Sequence, residues 1–135
     1  MSAGYSATPL ARKLSLKAGL RTWWCGMPDA VRAEIEREGV ALNLLETPEP
    51  PVDAAHVFIT TRAVLDCELR LLLPILARSG FIWVSWPKQT AKVPTDITEH
   101  VIREVALPLG LVDVKVCALD ATWSGLKLVI RKSAR

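Results

Sequence analysis

A chain of 135 residues can bury a core without disulfide or metal support, and 50% apolar against 23% charged residues excludes a disordered chain. The net charge is only +3, with 17 basic and 14 acidic residues interspersed, so no dense basic run points to nucleic acid, which is not expected as a partner. Cys25, Cys67 and Cys117 are odd in number and far apart, as free thiols in a reducing compartment are, and the two histidines lie near none of them, so no metal site is expected.

Residues 1–10 lack the apolar stretch of an export signal, and nothing approaches the roughly 20 apolar residues that span a bilayer. A cytoplasmic protein without a membrane segment is expected. Arg21 to Cys25 is short, apolar and β-prone and stops at Gly26, after which Pro28 offers a pre-set first helical position. A helix from Pro28 to Glu38 follows, with Val31 and Ile35 on its inner face and Gly39 as its stop. Val40 to Leu45 reads as a second strand, and the prolines of Thr47-Pro-Glu-Pro-Pro51 force an extended loop.

Ala55 to Thr60 is a buried-type strand, and Leu65, Leu69, Leu72, Leu73 and Leu76 then share one helical face, with Pro74 kinking or restarting the helix and Gly80 ending it. Phe81 to Trp86 has the continuous apolarity of a central parallel strand. Asp96 and Glu99 have capping-box spacing before a helix with Ile97, Val101 and Val105 inward and Gly110 as its end. Val112, Val114, Val116 and Ala118 alternate as the inner face of a strand, and a turn at Asp120 to Gly125 leads to Leu126 to Ile130, which must run antiparallel to it. The expected fold is a single α/β domain over residues 1–135, Rossmann-like and three-layered, with about six strands, mostly parallel and closed by a C-terminal antiparallel hairpin.

In such a sheet ligands bind at the carboxyl ends of the strands. That edge receives Glu46 from the second strand, Arg62 from the third, Trp86, Lys88, Lys92 and Asp96 from the fourth, and Trp123 and Ser124 from the closing turn. Arg62, Lys88 and Lys92 can form an anion pocket, although loop lysines are commonly only solvated. Trp86 and Trp123 can stack on a planar ligand or a partner, or lid the core. Asp96 reads first as a helix cap. Glu46 lies 20 residues beyond Gly26, the distance at which a dinucleotide fold places its ribose-binding acid. Against a nucleotide, the first turn has one glycine where a phosphate cradle uses two or three, and Pro28 lacks an amide. No catalytic triad or paired carboxylate is evident, and His56 reads as a strand or core residue.

Leu16-Lys-Ala-Gly-Leu-Arg21, Asp53-Ala-Ala-His-Val57, Leu76-Ala-Arg-Ser-Gly80 and the closing hairpin together resemble the Rossmann-like methyltransferase order with one strand trimmed out. More closely, the chain resembles a family of small, mainly bacterial proteins known only as a domain of unknown function. That resemblance rests on Gly4-Tyr5-Ser6 with Thr8-Pro9-Leu10, on Trp86-Pro87-Lys88 with Lys92-Val93-Pro94-Thr95-Asp96, and on Asp113 to Cys117 with Asp120 and Trp123-Ser-Gly-Leu-Lys127. The tandem Trp23 and Trp24 depart from it. The resemblance implies that the N-terminal segment, residues 1–15 with Tyr5 and Ser6, docks on the sheet edge.

The functional expectation is a non-catalytic binding or regulatory module on a degenerate methyltransferase-like scaffold. It would hold a protein partner or a small anionic ligand at the rim, with no cofactor because S-adenosylmethionine lacks its glycine loop. The alternative is a small enzyme or nucleotide binder at the same edge. The final strand is a candidate exposed edge for a homo-oligomer.

Overall fold

The computed structural model describes residues 8–134. In chain order it contains a short helix α1 (Leu10–Lys13), β1 (Arg21–Cys25), α2 (Asp29–Glu36), β2 (Asn43–Leu44) and β3 (Val52–Phe58). There follow α3 (Arg62–Leu72), β4 (Leu76–Pro87), α4 (Glu99–Ala106), β5 (Leu111–Ala118) and β6 (Trp123–Ile130). The strands form one sheet in the order β2-β1-β3-β4-β6-β5. The first three pairings are parallel, and β6 runs antiparallel between β4 and β5. The last strand is therefore internal, and β5, not β6, is the edge strand at that end of the sheet.

Alternation along β3 and β4 builds a core on each face of the sheet. Ala55, Val57, Ile82, Val84 and Trp86 meet Leu65, Leu69 and Leu72 of α3 and Ile102, Val105 and Ala106 of α4. On the other face Ala54, Phe81 and Trp83 meet Val31 and Ile35 of α2 and Leu10, Ala11 and Leu14 around α1. Trp83 is 1% exposed, and its indole Nε1 donates to the Leu14 carbonyl at 2.9 Å, which ties the N-terminal segment to the face of the sheet. His56 and Ser85 share this side and are buried, with His56 Nε2 and Ser85 Oγ 2.7 Å apart in one hydrogen bond.

Several local expectations shift for identifiable reasons. Only Asn43 and Leu44 of the second strand pair with β1, and they are exposed because no further strand or helix covers them. Pro74, not Gly80, ends the third helix: a 3₁₀ turn at Leu73–Ile75 follows Leu72, and the chain enters β4 at Leu76. Gly80 sits inside β4, where an added Cβ would lie 3.0 Å from the Asp53 carbonyl. The inner stripe of α4 runs through Ile102, Val105 and Ala106 with Val101 at its margin. A bulge between Asp113 and Lys115 breaks the expected alternation, so that Val114 and Val116 are 54% and 45% exposed instead of sharing an inner face. Among the described residues no helix is long and apolar enough to cross a membrane.

Candidate functional site

The connection from β1 leads to β2 on one side, while β3 lies on the other, so the switch point of the sheet falls between the carboxyl ends of β1 and β3. There Cys25 turns into Gly26, which adopts φ of +72°. A Cβ on Gly26 would meet the Phe58 carbonyl oxygen at 3.3 Å, so the turn lies close against the end of β3. One glycine suffices for this reversal because the next residue, Met27, already leads into the extended Pro28 that precedes α2.

On the β3 and β4 side the rim is closed by the loop after β4. Asp96 Oδ1 accepts the Arg62 amide at 2.8 Å, Thr95 Oγ1 donates to the Thr60 carbonyl at 2.7 Å, and the Lys88 amide donates to the Thr122 carbonyl at 2.8 Å. The first amide of α3 is thus taken by the carboxylate of Asp96 and a later one by the Thr61 hydroxyl, which leaves that helix end a poor anion cradle. Asp96 caps α3, not α4 as its spacing suggested; α4 is capped by Thr98, whose hydroxyl accepts the Val101 amide. Asp96→Ala is expected to cost about 1 kcal/mol, read as a lower urea midpoint with unchanged slope, with Asp96→Asn recovering most of it.

Of the expected cationic trio, Arg62 pairs with an acid. The Arg62 guanidinium lies 3.4 Å from the Glu104 carboxylate, while Lys88 is half-buried and Lys92 exposed in the loop. Trp86 is 8% exposed and packs in the α3 and α4 core, because its position in β4 points it inward instead of into the rim. Trp123 opens β6 half-buried, with its ring edge-on to Phe58 at 5.1 Å, and Ser124 beside it is half-buried too. These two stand at the switch-point edge as expected, since β5 runs parallel to β4 and delivers its turn there. Tyr5 and Ser6 lie outside the described residues.

Beyond the end of β2 the exposed Glu46 lines a cavity of about 370 Å³ with Trp24, Arg32, Leu44 and Leu45. The Arg32 guanidinium stacks over Trp24 at 5.3 Å from its ring centre. Sequence reasoning singled out Glu46 but missed Trp24, Arg32 and the leucines; the tandem tryptophans were the available signal. The donor set suits a nucleoside, with a carboxylate for a ribose diol and an indole and two leucines for a purine face. The tight Gly26 turn stands at the neighbouring strand end.

No family model matches the chain, and no curated protein does. Solved structures do. A ribosomal protein L11 methylase from Lactobacillus delbrueckii subsp. bulgaricus superposes with a TM-score of 0.54 at 12% identity, covering 91% of this chain and 75% of its own. A precorrin-6y C5,15-methyltransferase from Geobacter metallireducens GS-15 gives 0.56 at 12%, covering 90% and 85%. Fibrillarin from Aeropyrum pernix, with natively bound S-adenosyl-L-methionine, gives 0.52 at 13%, covering 93% and 70%. The fold is the Rossmann-like methyltransferase fold. These neighbours overturn the expectation of a non-catalytic module on a degenerate scaffold, and the natively bound S-adenosylmethionine in fibrillarin overturns the expectation of no cofactor. The strand order, and not the first turn, carries the likeness.

Proposed function

We propose that this chain is a methyltransferase domain that binds S-adenosylmethionine across the carboxyl ends of β1 and β2. The sheet order, with its switch point beside Gly26, is the observation that carries this reading. Glu46 accepts hydrogen bonds from the ribose hydroxyls, and Trp24, Leu44 and Leu45 cover the purine. Gly26 keeps the first turn free of a side chain beside the ligand. The bound group supplies an electrophilic methyl on a sulfonium. The loop from Lys88 to Asp96, anchored on Thr60 and Thr122, forms the opposite wall from which an acceptor approaches. The free thiols of Cys25, Cys67 and Cys117 suit a reducing cytoplasm.

Thermal unfolding with S-adenosylmethionine or S-adenosylhomocysteine tests the reading. At a hundred times its dissociation constant a ligand adds about 2.7 kcal/mol, a rise in Tm of roughly 10 °C for a domain of this size. Glu46→Ala, on an exposed side chain, should weaken binding about tenfold and leave the ligand-free Tm unchanged. A flat Tm with both compounds at millimolar concentration overturns the proposal.

A further inference from the structure

The face of the sheet that carries α1 gathers lysines that are far apart in the chain. Lys127 Nζ donates to Ser15 Oγ at 3.0 Å, Lys115 Nζ to the Lys13 carbonyl at 3.0 Å, and Lys13 Nζ to the Ala118 carbonyl at 3.2 Å. Lys115 stands directly opposite Lys127 in the antiparallel register, a like-charge pairing that disfavours the strand pair. Burial first, and then the fields of Lys115 and Lys17, push the Lys127 ammonium below its ordinary pKa. Lys13, Lys115 and Lys127 are each held by a neutral oxygen, and Lys127 Nζ also stands over the Phe81 ring, 4.5 Å from its centre. Among the described residues none of Lys13, Lys17, Lys115 and Lys127 makes an ion pair.

The β5 bulge produces this arrangement. It sends Asp113 to the opposite face, where the carboxylate meets Arg103 at 3.0 Å, while Lys115 faces α1. Glu34 and Asp120 line a hollow with Lys13, and Glu38 lines one with Lys17, yet none of the three forms an ion pair with a lysine of this face: Glu38 accepts the Ala11 amide, Glu34 pairs with Arg37, and Asp120 accepts the Thr122 and Trp123 amides. Lys115 and Lys127, paired across the strands without a direct acidic partner, are the part of this face with the most positive charge left for an external polyanion.

We infer that this face, Lys13, Lys17, Lys115 and Lys127, binds the phosphodiester backbone of a nucleic acid. Lysine is depleted in protein interfaces, which disfavours a protein partner, whereas point charges suit phosphates. A membrane surface would need a broad apolar anchor among the charges; of the exposed valines beside Lys115, Val116 pairs with Leu126 and so faces the opposite side of the sheet, which leaves only Val114. The inference uses no residue of the cavity at β2, so it stands or falls apart from the methyl-transfer reading.

The test is fluorescence anisotropy of the full chain, without cofactor, against a labelled 12-nucleotide RNA, the matching DNA, a duplex and polyglutamate. Binding to RNA or DNA should fall with salt with a log–log slope of about −3 for four phosphate contacts on a single strand. Lys17→Glu with Lys115→Glu should weaken it at least tenfold and flatten the slope by about 1.4. Lys17→Ala with Lys115→Ala gives a milder loss in the same direction should the reversal perturb folding. Arg78→Glu at the start of β4, which lowers the net charge by two units as each single lysine reversal does, should leave binding near wild type. The three nucleic-acid arms distinguish the source of the backbone. Absence of binding at low salt, equal capture of polyglutamate, or an equal loss with Arg78→Glu overturns the inference.

Discussion

Lowering the pH from 7.5 to 5.0 is expected to remove about 2 kcal/mol of folding stability through His56 alone. Complete burial lowers the His56 pKa from its ordinary 6.5 to about 3. Above pH 6.5 the imidazole is neutral whether the chain is folded or not, and its full contribution is present. As the pH falls below 6.5 the unfolded chain takes up a proton that the folded chain refuses until about pH 3, so stability is lost across that window. The neutral ring is kept by its surroundings: Ser85 Oγ at 2.7 Å, Phe58 stacked at 4.5 Å and Trp83 at 6.4 Å, with no carboxylate among these contacts. Urea titrations at the two pH values check this. His56→Asn, with a side chain that does not titrate, should be less stable at pH 7.5 yet lose far less on acidification. A wild-type-sized drop in that variant would assign the effect to other groups.

Trp83→Ala is expected to cost roughly 3–5 kcal/mol, a large part of what a domain of this size has, because it empties the centre of the α1 and α2 face. Trp83→Phe separates packing from hydrogen bonding. It keeps a ring among Leu14 and its neighbours but leaves the Leu14 carbonyl without the indole donor, a loss of about 1–3 kcal/mol. Because that bond joins residues 69 positions apart, its loss should act first on the N-terminal segment. The amides of Leu14 and Leu16, bonded to Leu10 and Ala11, should exchange faster in Trp83→Phe than amides of β3. Equal protection of the two sets would show that packing alone holds α1.

The legible parts of the candidate site were those with a fixed offset from a strand end. Glu46 follows β2 directly, and Gly26 follows β1, so locating the strands located both. Trp24 was visible as an oddity but not as a cavity wall, since its neighbours Arg32 and Leu44 meet it only when α2 folds back and β2 pairs. Trp86 misled for the converse reason: β4 continues through Pro87 at its carboxyl end, so a side chain expected at the rim belongs to the core.

By itself the sequence determined the α/β class, the mostly parallel sheet and the closing antiparallel hairpin. Periods of 2 and 3.6, and the stops made by glycine and proline, are written within a dozen residues of one another, and connection length then restricts strand direction. Tertiary structure alone decided which charges meet. Asp96 reaches Arg62 across 34 residues, Lys115 reaches Lys13 across 102 and Lys127 reaches Ser15 across 112. A single bulge in β5 chose the faces for Asp113 and Lys115. Lysines split between residues 13–17 and 115–127 of a chain of net charge +3 form no basic run in sequence, and they become one surface only because the sheet order sets β5 and β6 beside the segment that follows α1.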